Sequence, residues 1–213
     1  MPNWCENRLW VSGSDRDVEE FREKFYGYRC YFKGEVMFRI NTIFRVFSDR
    51  TMTKDKKLKL ATEIFEEYLE NFTERSYCLN ALYPVPDWIK EAGYHKAGHD
   101  WCVEHWGTKW DIHVQDSRIL DGELYFAFDT PWGPPDDWLK KVGQDYPTLR
   151  FELKYYEPGL CFAGKIVMES GAVALEYEVT RKEPEYKDFF ETELGIEIQD
   201  DDGYPVRPTD EKN

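Results

Sequence analysis

Several kinds of signal are missing from this chain. It has no stretch of about 20 uncharged apolar residues and no basic segment leading into an apolar run, so neither a membrane-spanning helix nor an export signal is expected. Cysteine is sparse: Cys5, Cys30, Cys78, Cys102 and Cys161 are widely separated and form no CxxC pair. That usage predicts reduced thiols in a cytoplasm rather than a disulfide framework. Histidine is sparser still, and all four histidines lie between 95 and 113. No GxSxG, Walker loop, HExxH or paired HxH with a carboxylate occurs, so the sequence leans away from an enzyme and predicts no cofactor. Positive charge is also short: 28 Lys and Arg against 42 Asp and Glu leave a net −14. General affinity for nucleic acid is disfavoured, because phosphate binding needs clustered cations.

Aromatic residues are abundant. Eight Trp, 14 Tyr and 14 Phe imply an aromatic core whose buried N–H and O–H groups need partners. The charge is also polarised. Residues 22–59 carry 11 basic and 4 acidic residues, a local +7, whereas 183–213 carry 3 basic and 11 acidic, a local −8. Net charge alone therefore does not select a partner.

Periodicity gives the organisation. Residues 7–12 alternate Leu9 and Val11 as a strand, and Ser14 caps a helix over 15–25 with Val18, Phe21 and Phe25 on one stripe. From about 28 to 100 the pattern becomes a basic, mostly helical insertion. It contains an amphipathic helix opening at Thr53, with Leu58, Ala61, Phe65, Tyr68, Leu69 and Phe72 in line. A hairpin follows, with Trp110, Ile112 and Val114 alternating on one strand, Leu124, Phe126 and Phe128 on the other, and Asp121–Gly122 closing the loop. Residues 134–147 read as a helix carrying Trp138, Leu139 and Val142, and 148–159 as a strand carrying Leu149, Phe151 and Leu153. The order β, α, insertion, β, β, α, β matches an α+β ferredoxin-like βαββαβ sandwich. A further hairpin through Gly171 extends the sheet, so that 1–182 forms one interrupted domain and 183–213 an acidic, loosely attached tail.

Four blocks, MPNWCENRL (1–9), LNALYPVPDW (79–88), DWCVEHWGTKWD (100–111) and FDTPWGPPDDWL (128–139), resemble the YubB-type ferredoxin-like family of phage and plasmid proteins. The resemblance covers roughly 1–27 and 77–180. It implies the same fold and an accessory protein of a mobile element, and it carries over no catalytic residue.

Three sets of residues invite a chemical reading. His95, His99, Cys102 and His105 are spaced by three or four residues and carry zinc-compatible atoms, but the spacing is no standard signature and a strand is expected near Trp106, so no metal site is expected. Trp106, Lys109, Trp110, Asp129, Trp132 and Trp138 should meet where the two hairpin strands end, as a packed corner or as an aromatic pocket for a ligand or partner. Asp136 and Asp137 suit a helix N-terminus without a catalytic role. Lys54, Lys56, Lys57 and Lys59, with Phe44 and Phe47 nearby, mix charge and aromatic surface as single-stranded nucleic-acid sites do, although no RNP-type motif accompanies them. The leading expectation is a non-catalytic module that binds a host or mobile-element protein of basic surface through its acidic body and tail. The alternatives are a nucleic-acid-binding accessory protein and a metal-dependent or small-ligand enzyme.

Overall fold

The computed structural model of the protein describes residues 3–73, 75–120 and 122–197, with side chains described outside 34–40 and 67–73. Asp121 of the expected loop and the end of the acidic tail, Ile198 included, lie outside the described residues. Among the described helices none is long and apolar enough to cross a membrane.

Alternation in the first strand sends Cys5, Leu9 and Val11 to one side, all fully buried, and builds β1 (Trp4–Ser12). Ser14 then accepts from Asp17 N at 3.2 Å and starts α1 (Asp15–Phe25), whose Phe21 and Phe25 point into the core. The hairpin β4 (Val114–Leu120) and β5 (Glu123–Pro131) follows the insertion, then α7 (Asp136–Asp145) and β6 (Arg150–Glu157). Two more strands, β7 (Phe162–Glu169) and β8 (Ala172–Thr180), form the terminal hairpin.

The sheet runs β4-β5-β1-β6-β7-β8, antiparallel throughout. Its first four strands have the ferredoxin-like order, with β1 between the two strands of the second half, so the protein is α+β with that fold. One face carries α1 and α7. There Phe25 meets Phe126 edge-on at 5.1 Å, Phe21 meets Phe151 at 5.3 Å, and Trp138, Leu139 and Val142 complete the layer.

The insertion begins and ends in a small ribbon, β2 (Tyr26–Tyr28) against β3 (Arg75–Tyr77), which brings its two ends together. Within it lie α2 (Lys33–Ser48) and α3 (Lys54–Thr73), packed as an antiparallel hairpin. After it come α4 (Leu79–Leu82), α5 (Asp87–Ala92), a π-helical turn (Tyr94–Gly98) and α6 (His99–Trp106).

Two expectations change. The segment 106–110 does not open the hairpin strand: Trp106 ends α6, Gly107 takes the left-handed conformation at φ 76° as its C-cap, and β4 starts at Val114. The tail is not loose from residue 183. Its first part forms α8 (Glu185–Phe189) and a π-helical turn (Phe190–Leu194) that bury Tyr186, Phe189, Phe190, Leu194 and Ile196 against Tyr156, Ala163 and Val179. These strand residues alternate with those facing α1 and α7, so the segment lies on the opposite face of the sheet. Four apolar residues at helical spacing, with Ile196 just beyond them, outweigh the acidic composition, and Glu193 ties down the turn by pairing with Lys154 at 2.9 Å and Lys165 at 3.0 Å.

Candidate functional site

The tryptophan set divides. Trp106 and Trp138 are fully buried and hold the core: Trp106 Nε1 donates to Tyr83 O at 2.9 Å and Trp138 Nε1 to Leu79 O at 3.1 Å. Of the outer members, Lys109 and Trp132 meet each other, and Trp110 and Asp129 find other neighbours. Lys109 Nζ sits 4.9 Å from the Trp132 ring, Trp110 meets Trp4 edge-on at 6.2 Å, and Asp129 accepts from Gln115 at 2.6 Å. Trp132 is held at φ 74°, where its N–H donates to Asn3 O at 2.9 Å. The set is a cation–π clamp on the surface beside two core anchors.

Buried polar atoms in the sequence blocks hold the elements together. Asp111 is enclosed and accepts from Leu79 N at 2.7 Å, Cys30 N at 3.0 Å and Ile112 N at 3.0 Å. Burial raises its pKa while those three N–H groups and the charge of Arg29 oppose the shift. Asn7 donates to Thr130 Oγ1 at 2.7 Å, and Thr130 donates to Gly133 O at 2.7 Å. Each block thus contributes one end of a buried tie between β1, the helical region and the start of α7.

The histidine set is dispersed along the surface of one helical segment. His95 is exposed, His99 Nδ1 lies 2.9 Å from Asp100, and His105 stacks on Trp101 at 4.5 Å with Nδ1 3.0 Å from Trp101 O. Cys102 is fully buried. Among the described residues no group of three His, Cys, Asp or Glu side chains could hold a metal ion. Two of the thiols are held back as nucleophiles: burial, then Asp111, pushes Cys78 up to about 12, and burial, then Glu157, raises Cys5.

Of the lysine set on α3, Lys54, Lys56 and Lys59 are exposed, while Lys57 Nζ donates to Phe47 O at 2.9 Å and Lys59 lies 3.8 Å from Glu63. The nearby Phe44 and Phe47 are 65% and 50% exposed.

A groove that the sequence did not single out lies between the start of α7 and β8. It has a volume of about 540 Å³ and is lined by Gly107, Gly133, Pro134, Asp136, Tyr155, Phe162, Ile166, Glu176, Tyr177 and Glu178. Its floor is aromatic and apolar, and its rim carries three carboxylates. Tyr155 Oη donates to Glu178 at 3.2 Å, and burial, then Glu178, pushes the phenol up and keeps it a neutral donor. Lys140 bridges Asp136 at 3.2 Å and Glu176 at 2.8 Å. Burial and the neighbouring Asp136 raise Asp137 just outside, as expected where negative charge is crowded. The sequence did hold a trace of this rim: Glu176 and Glu178 stand two residues apart on the last strand, which places them on one side of the pleat.

The fold and groove define an acidic, ferredoxin-like protein with an edge strand beside a carboxylate-rimmed cleft. Residues 109–193 match the family model described as the ferredoxin-like domain in Api92-like protein. Among solved structures, the crystal structure of protein api92 from Yersinia pseudotuberculosis is similar in fold, with 14% sequence identity, a TM-score of 0.53, and coverage of 84% of this chain and 98% of that one. No curated protein matches the chain.

Proposed function

We propose that the protein is a non-catalytic binding module that takes an extended, basic segment of a partner protein along β8 and its groove. The observation that supports this most is the cleft itself. Asp136, Glu176 and Glu178 rim it beside a nine-residue strand at the end of the sheet. An edge strand offers free backbone donors and acceptors to an added strand, and flanking pockets select its alternate side chains. Lys140 already places an ammonium between Asp136 and Glu176, so the rim has the geometry to receive lysine. Like charge discourages pairing with a second β8, which leaves the edge to a partner of opposite sign.

The reading extends to context. Kinship with YubB-type proteins would make the chain an accessory of a phage or plasmid that meets a host or plasmid-associated protein in the bacterial cytoplasm. Five cysteines joined by no disulfide are compatible with that compartment. The non-catalytic part rests on the block residues, whose polar atoms hold the fold, and on thiols with raised pKa.

Fluorescence anisotropy with labelled extended peptides tests the site. Peptides alternating Lys or Arg with apolar residues should bind, with affinity that falls as salt rises, and acidic peptides of the same pattern should not. Glu176→Gln with Glu178→Gln should weaken binding by about tenfold or more. Equal affinity in that variant, or no affinity for any basic peptide, overturns the proposal.

A further inference from the structure

The α2–α3 hairpin carries an apolar face with no cover among the described residues. Phe44, Phe47, Leu58 and Phe65 are 65%, 50%, 58% and 50% exposed, whereas Val46 and Ala61 are the buried members of the pair. At 100° per residue, Phe44 and Phe47 turn from Val46 in the same sense as Leu58 and Phe65 turn from Ala61. In two antiparallel helices that shared sense puts Phe47, Leu58 and Phe65 on one side, with Phe44 at its outer edge. Large apolar side chains gathered on one face mark an interaction surface rather than scattered exposure.

The charge along α3 says what fits there. Lys54, Lys56, Lys57 and Lys59 lie in its first third, and Glu63 and Glu66 follow. A helix that is basic at one end and acidic further on is complementary to itself in antiparallel orientation. A two-fold axis between Ala61 and Thr62 sets Leu58 of one copy opposite Phe65 of the other, and brings the lysine-rich turn of one copy to the level of the turn carrying Glu63 and Glu66 in the other. The helix dipoles are then antiparallel as well. We infer that the α2–α3 hairpin is a homodimerisation surface, two copies closing an antiparallel four-helix bundle over Phe44, Phe47, Leu58 and Phe65. A polyanion or an anionic bilayer would use the lysine end alone and would be repelled by Glu63 and Glu66 further along the helix. A second copy uses both ends. The surface is independent of the β8 groove, which stays open in the dimer.

Light scattering and sedimentation equilibrium on the full chain test the inference. The expected result is a dimer, weakened about 30-fold or more by Leu58→Glu, with circular dichroism unchanged because the residue is exposed. Charge reversal separates specific pairing from general stickiness. Glu63→Lys with Glu66→Lys makes the helix wholly basic at these positions, and Lys54→Glu with Lys57→Glu makes it acidic. Each variant alone should be monomeric, and an equimolar mixture should recover the dimer. A monomeric parent chain overturns the inference, as does a dimer indifferent to Leu58→Glu or a mixture that stays monomeric. Binding of single-stranded DNA or anionic vesicles by a monomeric parent would assign the same face to one of those partners instead.

Discussion

The sheet body and the α2–α3 hairpin treat aromatic and polar side chains in opposite ways. In the body most large rings are covered, Trp4, Trp88 and Trp132 excepted, and every block contributes a buried hydrogen bond: Asp111 to three N–H groups, Trp138 to Leu79 O, Asn7 to Thr130. In the hairpin, three phenylalanines stand half or more exposed and most described polar contacts stay within the hairpin, such as Ser48 to Phe44 O at 2.8 Å. Sequence blocks that look like a site because they are dense in Trp, Asp and Asn can be the fastenings of a fold. The surface that meets other molecules can lie where the sequence is hardest to assign.

The largest effect that sharpens this contrast is expected at Asp111. Asp111→Ala leaves three buried N–H groups without an acceptor and should cost about 4 to 6 kcal/mol in urea unfolding, with the charge of Arg29 left uncompensated beside them. If the variant is as stable as a surface substitution, the blocks are not fastenings and their chemistry must be sought elsewhere.

Next comes the docked C-terminal segment. Phe190 is fully buried, packed on Tyr156 at 5.3 Å and Tyr186 at 4.8 Å, so Phe190→Ala should cost about 3 to 4 kcal/mol. A near-neutral result in calorimetry would return this segment to the loose attachment that its composition suggests.

These two sites also mark what could and could not be read beforehand. Period-two alternation at Leu9 and Val11, at Phe126 and Phe128 and at Phe151 and Leu153 was enough for the strand order, because each of these strands has one face on the core. The helix over 15–25 followed from its cap and acidic first turn. WGTKW misled because alternating aromatics imitate a strand, whereas its glycine is a helix stop whose φ no pattern displays. The acidic composition of the tail points to a loose segment, whereas Phe189, Phe190 and Leu194 lie on one helical stripe that docks. The groove was out of reach for a topological reason: Asp136 and Glu176 are 40 residues apart and meet only because β8 extends the sheet beyond β6 and under the start of α7.

A middle-sized effect tests the opposite face. Burial would raise Glu152, but Arg150, Lys165 and Lys154 hold it down to about 2, below its ordinary value of 4.5. Because the folded value is the lower one, this carboxylate contributes stability above about pH 4.5, and the contribution fades as pH falls toward 2. Glu152→Gln should therefore flatten the loss of melting temperature over that window, while at pH 7 it costs about 1 to 2 kcal/mol. An unchanged acid limb would show that Glu193 alone anchors the two lysines. Trp110→Ala belongs in the same range, about 1 to 2 kcal/mol, because the ring is half-buried and its neighbour Trp4 is itself partly exposed.

The smallest effect is expected on the hairpin, and it depends on concentration. Phe44 is 65% exposed, so in a dilute, monomeric sample Phe44→Ser removes little buried area and should shift unfolding by no more than about 0.5 kcal/mol. In a concentrated sample the parent chain gains stability from self-association, since anything that binds only the folded state raises its melting temperature by mass action. Phe44→Ser forfeits part of that gain. The parent's melting temperature should climb with protein concentration and the variant's should climb less, so that the two curves diverge from a common dilute limit. Parallel curves separated at every concentration would instead mean that Phe44 packs within its own chain. The hairpin would then obey the same rule as the sheet body.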